Sequence, residues 1–400
     1  VLLVLAYKPY RNTLYSNLKS NPWLIAILLT YPLIIFFNLT SLGSTHSAQK
    51  VLVNWPWPLL SLITLIIIKY SFLKNIFLKG LILGHLIAFG YSLYLFYNLY
   101  GFELPDNARL ASFWDISRWG TFNSLIIPLY FYYFIYHFNV FKKSSAAIDL
   151  AKTTGYFLLL TLSTYFLFLS KSRAPYLGIL ASFIFIFIFS KKAKPYFIAP
   201  ALALTFVLFF NPNLINRLSS IGEVQTNTDG QISSKDASNA GRLNMWKVGL
   251  DLFLEHPLRG VGFQNSEIWI KDFLSKKDSE YQKKYTQVEF SYKDHHSSYL
   301  SSLVQNGPFF TFYFLGATAL ITLLSLVRTH IIYLKDLNFN NSNEIWLLKV
   351  ILISIIANYA ISFVFYTSYE SYEMIFFFPA LTGLAYLLPL TSKKVPSCNY

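Results

Sequence analysis

Cysteine is all but absent. Cys398 is the single thiol in 400 residues, so no disulfide framework holds this chain together. Charge is scarce as well: Asp, Glu, Lys and Arg supply 13% of positions, well below an average soluble domain, against 54% hydrophobic and 19% aromatic residues. A soluble core cannot absorb that much apolar surface, so lipid must solvate part of the chain. Acidic residues are the scarcer sign, 19 against 33 Lys and Arg, which leaves a net charge of +14. No internal repeat and no low-complexity tract is visible. Val1–Ala6 is apolar but lacks a basic n-region and a small-residue cleavage site, so a cleavable signal peptide is not expected.

What the chain does have is long apolar runs. About ten are long enough to cross a bilayer, near 22–40, 52–70, 76–98, 119–138, 154–170, 174–190, 195–210, 308–328, 346–366 and 374–390. Assigning the connections alternately to two sides separates the basic residues. One side takes Lys8, Arg11, Lys19, Lys69, Lys74, Lys79, Lys142, Lys143, Lys152, Lys191, Lys192, Lys194, Arg328, Lys335, Lys393 and Lys394. Short loops on the other side carry only Lys50, Arg109, Arg118, Lys171 and Arg173. The positive-inside rule then predicts cytoplasmic termini and an external large loop. Most of the basic surplus is thus a topology signal, and nucleic acid is not expected as a partner. The expected organisation is an all-α polytopic membrane protein: N-terminal spans 1–210, one large loop 211–298, and C-terminal spans with a short tail, 299–400. Within the loop, Ser219 to Ala240 is rich in Ser, Thr, Asn and Gly and reads as flexible. Trp55, Trp57, Tyr130, Tyr132 and Tyr133 read as interfacial or packing aromatics, although sugar stacking is open to a few.

Three segments carry candidate chemistry, all expected on the outer face. In Ser170-Lys171-Ser172-Arg173-Ala174-Pro175, Pro175 suits the first turn of the next helix and Arg173 stands just before it. A cation there is unfavourable unless an anion lies between it and the helix N-terminus; snorkelling toward headgroups is the plainer account. In Asn239 to Leu250, Leu243, Trp246, Leu250 and Phe253 recur at helical spacing and predict an amphipathic helix lying against the membrane domain. Ser238 or Asn239 would cap that helix, placing Arg242 in its first turn. The helix leads into His256-Pro257-Leu258-Arg259-Gly260-Val261-Gly262, where His256 reads as structural. In Asp294-His295-His296-Ser297-Ser298, Ser297 or Ser298 would cap a helix running to Asn306-Gly307-Pro308, with Tyr299, Leu300, Leu303 and Val304 facing the core. A helix entrance disfavours a cationic ring, so His296 suits a neutral general base, with Asp294 and His295 as possible supports. Metal ligation lacks the further Cys, His or carboxylate spacing it would need, and no metal or other cofactor is expected. Two arginines fit a diphosphate, which guanidinium grips in a bidentate manner, and one histidine fits deprotonation of a hydroxyl.

These segments resemble the O-antigen ligase family of Gram-negative bacteria, within the O-antigen ligase/polymerase superfamily, mainly from Phe168 to about Leu326. The family motif is His, then Asn, Ser or Gln, nine residues, Gly, two residues, and Gly, Thr or Tyr. Here His296-Ser297 is followed by nine residues and Gly307, with Phe310 at the last position and Thr311 beside it. Arg173 and Arg242 match the family's two arginines. The resemblance implies about 10–12 spans and a metal-independent glycosyl transfer at the periplasmic face of the bacterial inner membrane. Donor and acceptor would be undecaprenyl-diphosphate-linked glycan and a hydroxyl of the lipid A–core oligosaccharide, in lipopolysaccharide biosynthesis. By that likeness Arg173 and Arg242 hold the diphosphate, and His296 is the base or positions the acceptor.

Two other readings stand beside it. An O-antigen polymerase uses the same donor to extend another lipid-linked glycan; protein-glycosylating relatives share the motif but carry a larger soluble C-terminal part. A transporter of lipid-linked sugars would place ionisable residues or broken helices near mid-bilayer. His85 and Asn358 are the few polar candidates there, and both read as packed interior residues.

Overall fold

The computed structural model describes residues 8–20, 23–43, 47, 49–51, 71–105, 108–210, 224–226, 232–234, 237–286, 290–293, 295–335 and 342–364. The expected spans at 52–70 and 374–390, together with Trp55, Trp57 and Asp294, lie outside these residues. Helices dominate: α1 (Lys8–Ser20), α2 (Trp23–Leu28), α3 (Thr30–Thr40), α4 (Ser71–Tyr100), α5 (Ile116–Ser144), α6 (Ala147–Leu169) and α7 (Arg173–Phe189). They continue with α8 (Ile198–Phe210), α9 (Ala237–Glu255), α10 (Ser266–Ser275), α11 (Ser279–Thr286), α12 (Ser298–Lys335) and α13 (Ser342–Ser362). The protein is an all-α membrane protein. Among the described residues three helices are long and apolar enough to cross a membrane, Leu78–Tyr100, Ile116–Ser144 and Ser298–Val327; Thr30–Thr40, Arg173–Phe189 and Trp346–Ser362 are apolar but shorter.

One small departure lies in the stretch expected to be flexible. β1 (Val224–Thr226) and β2 (Ile232–Ser234) pair antiparallel, with Gln225 opposite Ser233. Val224, Thr226 and Ile232 are β-branched, and the intervening Asn-Thr-Asp-Gly-Gln is a turn-forming composition.

The described residues divide into two compact units: those within Val1–Ile67, Asn213–Ala319 and Phe363–Ala380, and those within Ile68–Pro212 and Leu320–Ser362. In the second unit α5 begins on Asp115, whose carboxylate accepts from the backbone N–H of Ser117 and Arg118. It closes on Ser145 in the left-handed conformation, with Lys142 and Lys143 at the negative end of the dipole. Pro128 sits inside this helix and has no N–H to give the Ser124 carbonyl one turn earlier. The Asn358 side-chain amide from α13 donates to that carbonyl instead, at 2.9 Å. Gly178 of α7 makes the room, since a Cβ there would lie 2.1 Å from Asn358 Oδ1. Asn358 is therefore accounted for by helix packing. Replacing it with Leu is expected to strand a buried carbonyl at a cost of about 1–3 kcal/mol, read as a lower melting temperature in detergent.

His85 is accounted for in the same way. Its ring is fully buried, with Nδ1 2.8 Å from the Tyr130 hydroxyl and Nε2 3.0 Å from Asn123 Oδ1. Asn123 commits its Nδ2 to the Trp119 carbonyl, so its Oδ1 faces His85 and must accept. The ring is thus the Nε2–H tautomer, taking a proton bond from Tyr130 at Nδ1. Tyr130 and Tyr132 are buried and Tyr133 is half-buried, which makes them packing residues.

Candidate active site

Arg173 belongs to the second unit, at a tight reversal. Lys171 adopts a left-handed φ of 50° and its N–H returns to Phe168 O at 2.9 Å. Ser170 is buried, with its hydroxyl donating to Leu167 O. Tyr176 closes the reversal by donating to Phe168 O at 2.9 Å. Gly120 lets α5 approach, because a Cβ there would sit 2.7 Å from Ser170 Oγ and 3.3 Å from Pro175 Cγ. Arg173 is the first residue of α7, after Ser172 in extended conformation with no side-chain cap bond. Pro175 is its third, where a missing N–H costs nothing. The half-buried Arg173 thus lies inside the first turn, not just before it as expected.

Arg242 and the histidines belong to the first unit. α9 starts at Ala237, so Arg242 is its sixth residue and stands in the second turn, not the first. Ala237 and Ala240 favour helix strongly enough to extend it upstream of the expected caps. The dipole reason for an anion beside Arg242 therefore falls away, leaving a half-buried guanidinium on the helix flank. The buried face of α9 also differs from the expected one. Ala240, Gly241, Asn244, Met245, Val248, Gly249 and Leu252 are buried, whereas Leu250 is 44% exposed. Val248 and Leu252 pack with Val261, Ile270, Phe273, Leu274 and Val304 in one cluster. Tyr281 of α11 reinforces it by donating to Asp251 at 2.6 Å, and burial, then that carboxylate, pushes its hydroxyl pKa up.

The two adjacent histidines have different surroundings. His295 is fully buried, with Nδ1 3.3 Å from Ser301 Oγ. Gly249 of α9 opens the notch that holds its ring: a Cβ at 249 would lie 2.2 Å from His295 Cδ2. Ser291 N, just upstream, lies 3.3 Å from Met245 Sδ, so the segment before the histidines also rests on α9. His296 is half-buried and holds a φ of 46°, a left-handed conformation that costs a non-glycine residue about 1–2 kcal/mol. Ser297 follows as the cap, its hydroxyl accepting from Leu300 N at 3.4 Å, and Ser298 N donates to Phe363 O at 2.9 Å.

Gly249 was visible only as a glycine inside a helical pattern, and its use is steric. Gly249→Ala is expected to push the His295 ring from its notch and lower the melting temperature, with His295→Ala in the same chain relieving the clash. Melting temperatures of the two single variants and the double variant check this.

At the far end of the motif, Gly307 has φ 77° and breaks α12. A side chain there would meet Leu258 O at 2.8 Å, so this position needs glycine. Pro308 has no N–H for Val304 O, and the break interrupts the ladder at Gln305 O. The turn after α9 supplies both donors: Val261 N reaches Val304 O at 2.9 Å and Gly262 N reaches Gln305 O at 2.8 Å. Gln305 adds its side chain, accepting from Gln264 N and donating to Ser266 Oγ. Asn38 of α3 ties in from the other side, donating to Asn306 Oδ1 at 2.9 Å and accepting from Phe263 N at 2.7 Å. Phe310, the departure from the motif, is buried with Ile34, Val51 and Phe263, while Thr311 donates to Gly307 O. His256 lies edge-on to Trp269, 5.3 Å between centroids, as a packing residue.

Among the described residues no group of three or more His, Cys, Asp or Glu side chains is placed to hold a metal. No curated protein matches the chain significantly. Residues 157–315 match the family model described as O-antigen ligase, a stretch that includes Arg173, Arg242, His295, His296 and Gly307.

Proposed function

We propose, from the O-antigen ligase family domain that residues 157–315 carry, that this protein is an O-antigen ligase of the bacterial inner membrane. It takes glycan from undecaprenyl diphosphate at the periplasmic face and passes it to a hydroxyl of lipid A–core oligosaccharide. The observation that supports this reading best is the setting of His296. It is half-buried and held in a left-handed turn between a buried histidine and a Ser-capped helix.

In the proposed step His296 accepts the proton of the acceptor hydroxyl. That oxygen bonds to the anomeric carbon from the face opposite the diphosphate, inverting it. The bond between that carbon and the phosphate oxygen breaks, and its electron pair leaves with undecaprenyl diphosphate. Arg173 and Arg242 hold the diphosphate and stabilise the charge gained on departure. Asp294 and His295 support the base, His295 by packing.

A null strain decides between ligase and polymerase. A ligase null still builds long glycan on the lipid carrier and displays lipopolysaccharide ending at the core. A core capped with a single repeat unit would instead make this protein the polymerase. The topology is checked separately by cysteine labelling: Gln225 is expected outside, and Lys143 and Lys191 inside.

A further inference from the structure

α9 carries apolar residues on two opposite faces. At 100° per residue, the buried set Gly241, Asn244, Met245, Val248 and Leu252 centres opposite Leu243, Trp246, Leu250 and Leu254. Val248 and Leu252 of the first set pack into the cluster formed with α10 and α12. On the second, Leu250 is 44% and Leu254 62% exposed, and Leu258, just past the helix end, is 64% exposed. A helix apolar on both sides needs an apolar neighbour for each.

Leu258 identifies that neighbour. Its carbonyl lies against Gly307, and the turn it belongs to is hydrogen-bonded to Val304 and Gln305. Two residues beyond Gly307 the spanning helix presents Phe309, 61% exposed, and then Phe312, 70% exposed. Exposed apolar side chains on a spanning helix face acyl chains, so the leucine edge begins where the lipid-facing surface of α12 begins. Arg259 is exposed beside the edge, with charge suited to anionic headgroups, while Lys247 is paired with Asp251.

We propose that the Leu250–Leu254–Leu258 edge is seated in the bilayer leaflet on its own side, so that α9 floats in the interface and carries Arg242 at headgroup depth. A lipid-borne diphosphate would lie at that depth. The seating itself rests only on membrane integration and not on the ligase reading.

The test uses the full chain with Cys398→Ser, reconstituted in nanodiscs of phosphatidylethanolamine and phosphatidylglycerol. Nitroxide labels are placed singly at 250, 254, 258 and, for contrast, 277. Labels at 254 and 258 are expected to collide with oxygen several-fold more than with a water-soluble nickel chelate, and the label at 277 to show the reverse. Unlabelled protein reconstituted with a diazirine-acyl lipid should yield adducts within 250–258. Preferential collision with the nickel chelate at 254 and 258 would overturn the seating. Exclusion of both reagents there, without lipid adducts, would overturn it too and assign the edge to a protein partner. Loss of transfer in His296→Ala with the labels still lipid-exposed would leave the two proposals independent.

Discussion

His296→Ala is expected to cut glycan transfer by roughly 10²–10⁴-fold, the usual contribution of a positioned general base. Donor binding should persist, because the diphosphate grip is assigned elsewhere, and cells should accumulate lipid-linked glycan. His295→Ala should behave differently. That ring is fully buried in the Gly249 notch, so its loss should lower the melting temperature first and activity through it. Transfer assays on purified protein with lipid-linked donor and lipid A–core acceptor separate the two effects. Wild-type rates in His296→Ala would remove it as the base.

The second large effect falls on the arginines. Each charge-assisted contact to a diphosphate contributes about 1.5–3 kcal/mol, so losing a bidentate pair should reduce transfer by roughly 10²–10⁴-fold. Arg173→Ala and Arg242→Ala should both insert and express normally. Lys at either position should recover only part of the rate, since an ammonium cannot reproduce the planar fork. The two positions rest on different ground. Arg173 opens α7, whose first N–H groups would add to an anion site, whereas Arg242 stands in the second turn of α9 and would rely on its guanidinium without that help. Full activity in either Ala variant would remove that residue from the site.

The sequence made some of this legible and hid the rest for identifiable reasons. Among the described residues the three long apolar helices, the Ser297 cap and the break at Gly307-Pro308 follow from hydropathy and local backbone chemistry, whereas the run at 22–40 is divided into two short helices. The start and buried face of α9 do not follow in this way. Its face is chosen in part by Gly249, whose value lies in the His295 ring that approaches it, and a hydropathy pattern rewards only large apolar side chains. The donors to Ser124 O and Val304 O come from Asn358 and Val261, remote in sequence, so local reading could find each proline but not its remedy.

The carbonyls beside Gly307-Pro308 bear on how the protein is made. Val304 O needs a donor at the head of a spanning helix, where an unmet polar group is costly in hydrocarbon. Val261 and Gly262 provide the donors, and they leave the ribosome before α12 does. The turn that receives the helix is therefore synthesised first, and its two bonds to Val304 O and Gln305 O close only once α12 has been made. Assembly of this unit accordingly has a direction: the turn after α9 is the dock, and α12 is the part that arrives.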